Sequence, residues 1–293
     1  SDHILLNEAA PLPFIITDRD SAEEDLRLKY RYLELRTEEL QKNMLIRHNT
    51  YQEVRSFLSD NKFVEIETPI LMKSTPEGAR DYLVPSRIHK GKFYALPQSP
   101  QMYKQILMIA GFDRYFQIVK CFRDEDLRAD RQPEFTQIDI EMSFVQENDV
   151  LNICEQLTRH VFKQVENIEL LDPFPRMTFS DAMSNYGTDC PDLRYNMKLQ
   201  DMNSFSDKSD FNAFKSADTV AGIVVSNGRK YSRKVIDDLT EFAKRYKAKG
   251  LAWMKAEEGK FNGGIAKFFN DDLQQDMQSE LGVKDGDIIF IIG

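Results

Sequence analysis

The chain has 293 residues, of which 41% are hydrophobic and 30% charged, and its formal net charge is −9. This composition allows a sizeable core and excludes wholesale disorder. No apolar run approaches the roughly 18–20 residues that span a bilayer, which excludes a membrane protein. The acidic balance excludes binding to nucleic acid by bulk positive charge alone, and the length favours two domains.

The cysteines and histidines bear on location and on metal binding. Cys121, Cys154 and Cys190 form no CxxC pair, so we expect reduced thiols in a cytoplasmic protein. The four histidines lack the spacing of metal ligands, which argues against a His/Cys metal site. The N-terminus has no basic stretch followed by an apolar core, so we expect no secretory signal.

Residues 1–40 predict a connecting segment. The PLP string at 11–13 is stiff and extended, which suits a linker between domains. Residues 20–40 are dense in Glu, Arg, Lys and Leu, and they predict a solvent-exposed helix.

A long helix, a strand and a proline come next along the chain. Residues 43–60 predict the helix, with Val54, Phe57 and Leu58 on its buried face. Residues 63–69 alternate as a strand and end at a proline, which cannot donate to a ladder.

The following segment predicts a loop at 74–78, a short strand at 92–96 and a second helix. Ser99 and Pro100 predict the N-cap and the first position of this helix, which runs to about residue 110. Its apolar positions are expected to face the core, and its polar positions lie on another face. The apolar set is Met102, Ile106 and Ile109, and the polar set is Gln101 and Lys104.

A long antiparallel hairpin is predicted next. Its arms, 115–123 and 136–144, alternate between polar and apolar residues, and twelve charge-rich residues connect them. In the second arm, Gln137, Asp139 and Glu141 share one face. A polar strand face within a sheet is either solvated or lines a site.

A compact α+β domain is predicted from residue 195 onward. Asn227 and Gly228 mark a turn, and Ser232 can cap the helix that follows. A second helix is predicted at 273–281. The last strand reads as buried at the end of the sequence, so we expect the natural polypeptide to continue. The predicted strands are 221–225, 251–255, 264–269 and 288–292, and the inward positions of the first helix are Ile236, Leu239, Phe242, Ala243 and Tyr246.

Several residues on these elements have two interpretations. Arg123 directly follows a strand, so its guanidinium is held for bidentate binding of a carboxylate or phosphate, unless the hairpin tip is simply solvated. Glu77 is either a surface acid or the partner of a substrate ammonium. Lys104 is either solvated or a point charge for a substrate carboxylate, with hydrogen bonds added by Gln101. Phe135 could stack on a planar ring.

Three strings in this order resemble a known family. The helix, strand and proline around Pro69 resemble motif 1 of the class II aminoacyl-tRNA synthetases, and the segment 122–135 resembles their motif 2. The resemblance is to the bacterial-type aspartyl-tRNA synthetases and covers about residues 1–200. The second domain resembles the insertion domain of these enzymes through looser motifs. The strings are STPEGARD at 74–81, QSPQMYKQ at 98–105 and CFRDEDLRADRQPEFT at 121–136.

The resemblance implies an α+β fold, in which part of a class II antiparallel sheet flanked by helices is followed by an α+β insertion domain. It implies a linker from an N-terminal OB domain at 1–40, a portion of the catalytic core at 41–194 and a truncated insertion domain at 195–293. The anticodon-binding domain, motif 3 and the later strands lie outside this sequence. We therefore expect the chain alone to be inactive.

The activity implied by the resemblance is aspartate–tRNA ligation. L-aspartate reacts with ATP and Mg²⁺ to give aspartyl-adenylate, and the aspartyl group then passes to tRNA(Asp). A homodimer through motif 1 is implied as well, and the loop 126–132 would approach the tRNA. No metal ligand is expected in this chain, and Arg123 is the implied catalytic residue. The implied aspartate-binding residues are Glu77, Gln101, Lys104 and Arg123, and the implied ATP-binding residues are Arg123, Asp124, Glu125, Gln132 and Phe135.

Two other functions stay open on the sequence. The chain could be a nucleotide- or RNA-binding module without catalysis, or it could belong to the asparagine or lysine branch of the same class. Adenylate formation separates an enzyme from a binding module, and a panel of amino acids separates the branches.

Overall fold

The computed structural model describes residues 4, 6–18, 22–75, 77–195 and 197–293. Contacts divide the chain into two compact units, Ser1–Phe174 and Pro175–Gly293. Within the second unit, Leu199 N–H donates to Asn185 O at 2.7 Å. The boundary at 194/195 stays a prediction. None of the described helices is long and apolar enough to cross a membrane.

Three helices open the first unit: α1 (Glu24–Lys29), α2 (Arg31–Glu34) and α3 (Glu38–Asp60). One exposed helix was predicted over 20–40, of which residues 20 and 21 lie outside the described residues. The prediction of exposure was wrong at Glu34, which is 1% exposed because its carboxylate pairs with Arg27 and Arg31.

Helix α3 begins earlier than the predicted 43–60, and its buried face is as predicted. Val54 and Leu58 are fully buried, and Phe57 packs against the same core.

A three-stranded sheet in the first unit has the order β1-β4-β5. β1 (Val64–Glu65) pairs parallel with β4 (Arg114–Phe122), and β4 pairs antiparallel with β5 (Glu134–Met142), which is the predicted hairpin. The strand predicted over 63–69 is shorter, because only two residues pair. Beyond them, the Thr68 hydroxyl donates to Gln117 Oε1 at 3.0 Å.

The β4–β5 hairpin has one apolar and one polar face. On the apolar face, Phe116 is fully buried in a cluster with Val54, Leu58 and Leu157, which come from α3 and α5 (Glu147–Glu166). This packing fixes the sheet on two helices and leaves the opposite face available for polar side chains.

Helix α4 (Gln101–Ile109) follows a small hairpin of β2 (Leu83–Pro85) and β3 (Phe93–Ala95). The predicted Ser99 cap was wrong: Pro100 occupies the N-cap position, without a side-chain cap bond. The predicted inward face was also wrong, because the buried side chain of α4 is Lys104, which pairs with polar groups of β5. The apolar positions are exposed instead, at 40% for Met102, 52% for Ile106 and 88% for Ile109.

The second unit is built on a five-stranded sheet in the order β6-β7-β10-β8-β9. The central β10 pairs antiparallel with β7 and β8 and is buried on both faces. Ile289 and Ile291 belong to one core cluster, and Ile288 and Phe290 belong to another. The strands are β6 (Gln200–Asp201), β7 (Ala221–Val225), β8 (Ala252–Glu257), β9 (Lys260–Asn262) and β10 (Ile288–Ile292), and the helices are α6 (Phe179–Tyr186), α7 (Asn203–Lys208), α8 (Asn212–Lys215), α9 (Arg233–Arg245) and α10 (Asp271–Leu281).

The local predictions for this unit had mixed outcomes. Ser232 caps α9 as predicted, with Oγ accepting from Val235 N at 3.3 Å. The strand predicted over 264–269 was wrong, because Gly264 has a φ of +50° and a 3₁₀ turn follows. Phe242 and Tyr246 were predicted to face inward and are 53% and 75% exposed, because they line an open groove rather than the closed core.

Candidate active site

The polar face of the β4–β5 hairpin gathers side chains from both strands. Residues paired directly across an antiparallel ladder share a face, and the register pairs Tyr115 with Glu141 and Gln117 with Asp139. Gln117 and Asp139 are only 7% and 8% exposed, so this face is not solvated at its centre. Buried polar groups of this kind need partners within the protein or on a ligand.

Helix α4 supplies one such partner, the ammonium of Lys104. Its Nζ lies 2.7 Å from Asp139 Oδ1 and 3.3 Å from Glu141 Oε2, and the residue is 9% exposed. Burial alone lowers the pKa of Lys104, but the hydrogen bond and charge of Asp139, together with Glu141, outweigh burial and raise that pKa above its usual value. Lys104 is therefore a fixed cation at neutral pH, which excludes the solvated interpretation.

Sequence reasoning placed Asp139 and Glu141 on a strand face that is either solvated or lines a site, but it gave neither residue a role. Their alternation with Ile138 and Ile140 placed them on a polar strand face, and that alternation was the available signal. Nothing in the alternation showed that α4, distant along the chain, would lay a lysine against them.

Cys121 lies on the same face as this cluster. Its thiol donates to Gln137 Oε1 at 3.2 Å. Burial raises the pKa of Cys121 to about 11, while nearby positive charges lower that pKa and nearby negative charges raise it. These charges belong to separate parts of the chain that the fold brings around one thiol: Arg123, Asp139, Glu77 and Lys104.

Glu77 is held by two hydroxyl groups. Thr75 Oγ1 donates to Oε1 at 3.0 Å, and Ser99 Oγ donates to Oε2 at 2.7 Å. The second bond explains why Ser99 does not cap α4. The described residues of the predicted 74–78 loop form no helix or strand, and Pro76 lies outside the described residues. Gln101 is half-buried at the start of α4.

Arg123 and Phe135 line a cavity of about 340 Å³ formed by the hairpin and its loop. The guanidinium carbon of Arg123 lies 5.0 Å from the centre of the Phe135 ring, in cation–π contact. Arg123 N–H donates to Pro133 O at 2.9 Å, which closes the base of the loop. Glu125 and Gln132 line the same cavity, so four of the residues predicted to bind ATP meet there.

Asp124 is placed differently from these four. It lines an adjoining cavity with Gly78, Arg80 and Arg128, and the two cavities share Glu125, Asp126 and Arg131. Its backbone N–H donates to Arg80 O at 3.0 Å. The structure therefore does not bring Asp124 into the cavity of Arg123 and Phe135.

Metal ligands are not grouped in the part of the chain that the structure describes: no set of three or more His, Cys, Asp or Glu there could hold an ion. We therefore assign no ligands among these residues to the Mg²⁺ that the resemblance implies. The thiols are free, with Cys121 buried and Cys154 and Cys190 exposed.

Comparison with known proteins places these features in a family. A family model described as tRNA synthetases class II (D, K and N) matches residues 23–288 of the chain. The chain belongs to this family. The class II fold is also seen in the asparaginyl-tRNA synthetase from Pyrococcus horikoshii complexed with asparaginyl-adenylate, with a TM-score of 0.50 and 17% identity over 99% of this chain and 71% of that one. The predicted fold class is confirmed.

Two curated relatives of this class II synthetase chain are named for aspartate. The aspartate–tRNA ligase of Halalkalibacterium halodurans is 54% identical over 291 residues, which are 98% of this chain and 49% of that protein. The aspartate–tRNA(Asp/Asn) ligase of Desulfatibacillum aliphaticivorans is 54% identical over 297 residues, which are 100% of this chain and 50% of that protein. The chain thus spans about half the length of the curated relatives it matches, and the predicted resemblance is confirmed.

Proposed function

We propose that this chain is part of an aspartate–tRNA ligase and carries a portion of the site that binds L-aspartate and ATP. The observation that carries the proposal is the buried ammonium of Lys104, fixed by Asp139 and Glu141 of β5, the strand that also carries Phe135 in contact with Arg123. A buried cation beside an arginine fork suits a ligand with two carboxylates. The names of the curated relatives support the same amino acid.

Lys104 is proposed to select the side-chain carboxylate. An ammonium has three N–H donors and no acceptor, and Asp139 and Glu141 account for two of them. A carboxylate completes the set with a charge, whereas asparagine brings a neutral carbonyl and an NH₂ group that has no acceptor on Lys104. Asparagine is therefore rejected. Because Lys104 and its two acids together carry one negative charge, Arg123 is needed to offset the charge of the ligand.

In the proposed first step, an α-carboxylate oxygen of aspartate attacks the α-phosphorus of ATP in line. A new O–P bond forms and pyrophosphate leaves. No protein nucleophile is required, so the rate comes from positioning and charge neutralisation. Arg123 is proposed to hold the α-phosphate and the activated carboxylate, and no step is assigned to Mg²⁺. The remaining contacts are proposed as Phe135 on adenine, Glu125 and Gln132 on the nucleotide, Glu77 on the α-ammonium, and Gln101 beside the aspartate.

The proposed second step transfers the aspartyl group to the terminal ribose hydroxyl of tRNA(Asp) and releases AMP. The exposed Arg128 and Arg131 of the hairpin loop are available to the phosphates of the acceptor end. A homodimer through α3 and residues 63–69 is part of the proposal, and sedimentation of the full-length protein at micromolar concentration tests it.

The test of the proposed function is ATP–pyrophosphate exchange by the full-length protein with aspartate, asparagine or lysine. We expect exchange with aspartate alone. Exchange driven by asparagine or lysine would move the protein to another branch of the family. ATP binding without exchange for any of the three would indicate a binding module instead.

A further inference from the structure

Gln98 is a buried amide to which the proposed chemistry gives no role. It lies between β3 and α4 and is 2% exposed. Its side chain pairs with the backbone of Ala79 in both directions: Nε2 donates to Ala79 O at 2.8 Å, and Oε1 accepts from Ala79 N at 3.1 Å. Nε2 also donates to Asp81 Oδ1 at 2.5 Å. The amide therefore binds the backbone of the segment 77–81 through one donor and one acceptor, as a neighbouring strand would.

The segment 77–81 reaches both halves of the candidate site. At its start, Glu77 accepts from the hydroxyl of Ser99, the residue after Gln98. Near its end, Arg80 O accepts from Asp124 N at 3.0 Å, and Asp124 directly follows Arg123.

A further backbone bond closes this junction, because Phe122 N–H donates to Pro97 O at 2.9 Å. The segment 77–81 is thus held between the Gln98 amide and the β4–β5 hairpin. Any displacement of the segment moves Glu77 relative to the hairpin that carries Arg123. Because the Gln98 amide is buried and both of its polar atoms are paired, it resists such displacement, and this resistance is lost when the amide loses a donor.

We propose that Gln98 is a positioning residue that sets the place of Glu77 relative to Lys104 and Arg123. This inference rests on the proposed function. The amide acts through Ala79 and Asp81 and does not touch the substrate. We expect loss of the Gln98 amide to weaken aspartate binding more than ATP binding. Glu77 is the residue proposed to bind the α-ammonium of aspartate, whereas the cavity of Arg123 and Phe135 is formed by the hairpin and its loop.

The test uses the full-length protein with Gln98→Glu, assayed at pH 8. This change keeps the length of the side chain and replaces the NH₂ that donates to Ala79 O and Asp81 Oδ1 by a carboxylate oxygen, which cannot donate. We expect the aspartate KM in ATP–pyrophosphate exchange to rise on the order of tenfold, as the loss of a buried hydrogen bond implies. The ATP KM is expected to stay within about twofold of wild type. Gln105→Glu, at an exposed position of α4, is the matched control and leaves both values unchanged.

Two further variants distinguish loss of the Gln98 hydrogen bonds from a general loss of folding. Adding Asp81→Asn to Gln98→Glu restores a hydrogen bond in the reverse direction, because the new amide at 81 donates to the new carboxylate at 98. We expect this double variant to lower the aspartate KM part of the way back to wild type. Gln98→Asn keeps the amide oxygen and NH₂ group but is too short to reach Ala79 and Asp81 together. We expect it to raise the aspartate KM and not the ATP KM, and it replaces Gln98→Glu in the test if that variant does not fold.

An unchanged aspartate KM in a folded Gln98 variant overturns the proposal, and so does an equal rise for both substrates or a split that Asp81→Asn does not relieve. Hydrogen exchange separates this failure from failure of the proposed function. Gln98→Glu is expected to speed exchange at the amides of Ala79 and Asp124 whatever reaction the protein catalyses. Absence of aspartate-dependent exchange in wild type defeats the proposed function, and unchanged protection of these amides defeats the role of Gln98.

Discussion

The sheets of the two units use their faces in opposite ways. In the second unit, β10 is covered by apolar side chains on both faces, and its residues 288–291 are at most 5% exposed. In the first unit, the β4–β5 hairpin buries Phe116 on one face and Asp139 beneath Lys104 on the other. Burying an ion pair contributes little net stability, because desolvation offsets the attraction. The polar face is therefore better explained by binding than by folding.

Buried polar groups in the second unit serve the backbone nearby. Gln274 is 8% exposed, accepts from Phe261 N–H and donates to Ala266 O and Phe269 O. Lys104 instead meets the carboxyl groups of Asp139 and Glu141 on β5, the strand whose Phe135 lines the cavity. The contrast teaches that burial alone does not mark a site, because Gln274 is as buried as Asp139 but bonds only to the backbone around it.

Arg123→Lys is expected to have the largest effect on the polar face. Lysine keeps the charge but loses the planar fork that holds two oxygens. Loss of one transition-state contact of this kind costs about 3–4 kcal/mol, or ~10²–10³ in the rate of ATP–pyrophosphate exchange. Arg114→Lys, at the other end of β4, is the control and keeps the rate. Near-normal exchange by folded Arg123→Lys would remove Arg123 from the reaction.

Ile289→Ala probes the apolar side of the comparison. The side chain is fully buried in the core of the second unit, so we expect a loss of about 3 kcal/mol in the stability of that sheet. Hydrogen exchange of the β10 amides in the full-length protein measures this loss. Ile292→Ala, at a 39% exposed position of the same strand, serves as the control and costs under about 1 kcal/mol. A change in the aspartate KM of this variant would show that the second-unit sheet also contributes to aspartate binding.

Lys104→Met tests selectivity at the buried ion pair. We expect the aspartate KM to rise roughly 10- to 100-fold, because the ligand carboxylate loses a charged donor, while the ATP KM changes little. Lys120→Met provides the comparison, since Lys120 pairs with Glu134 on the same hairpin but is about half exposed. If ATP binding weakens as much as aspartate binding, Lys104 is structural or belongs to the nucleotide half of the site.

The smallest expected effect concerns the thiol of Cys121. Its pKa is raised to about 11 by burial, so little thiolate exists at pH 8. We expect iodoacetamide to label Cys121 far more slowly than the exposed Cys154 and Cys190. At pH values below that pKa, each unit by which the pH is raised should increase the labelling rate at Cys121 about tenfold, because the thiolate fraction increases tenfold. Peptide mass spectrometry measures the labelling, and fast reaction at Cys121 would show that the polar face is open to solvent.

Elements with strong local patterns were predictable from the sequence. The periodicity of α3, the alternation of β4–β5 and the apolar run of β10 each fixed an element. Helix α4 was predicted with the wrong face inward, because periodicity shows where Ile106 lies but not which layer lies beneath the helix. The strand predicted over 264–269 was wrong, because an apolar pattern does not show that Gly264 has a left-handed backbone.

The candidate site was predictable only where a motif string named the residue. The strings pointed to Glu77, Lys104 and Arg123, and the structure brings these three around one thiol. The partners of Lys104 lie 35 and more residues further along the chain, and no local pattern connects them to α4. The Gln98 junction was hidden for the same reason, because its bonds join segments that only the fold brings together.

The most direct test of the account is a crystal structure of the full-length protein with a non-hydrolysable aspartyl-adenylate analogue. The account predicts the side-chain carboxylate of the analogue within hydrogen-bond distance, about 3 Å, of Lys104 Nζ. It also predicts the adenine ring stacked on Phe135 and Arg123 on the phosphate mimic. An analogue whose side-chain carboxylate lies away from Lys104, with the ammonium still bound only to Asp139 and Glu141, would contradict the central claim.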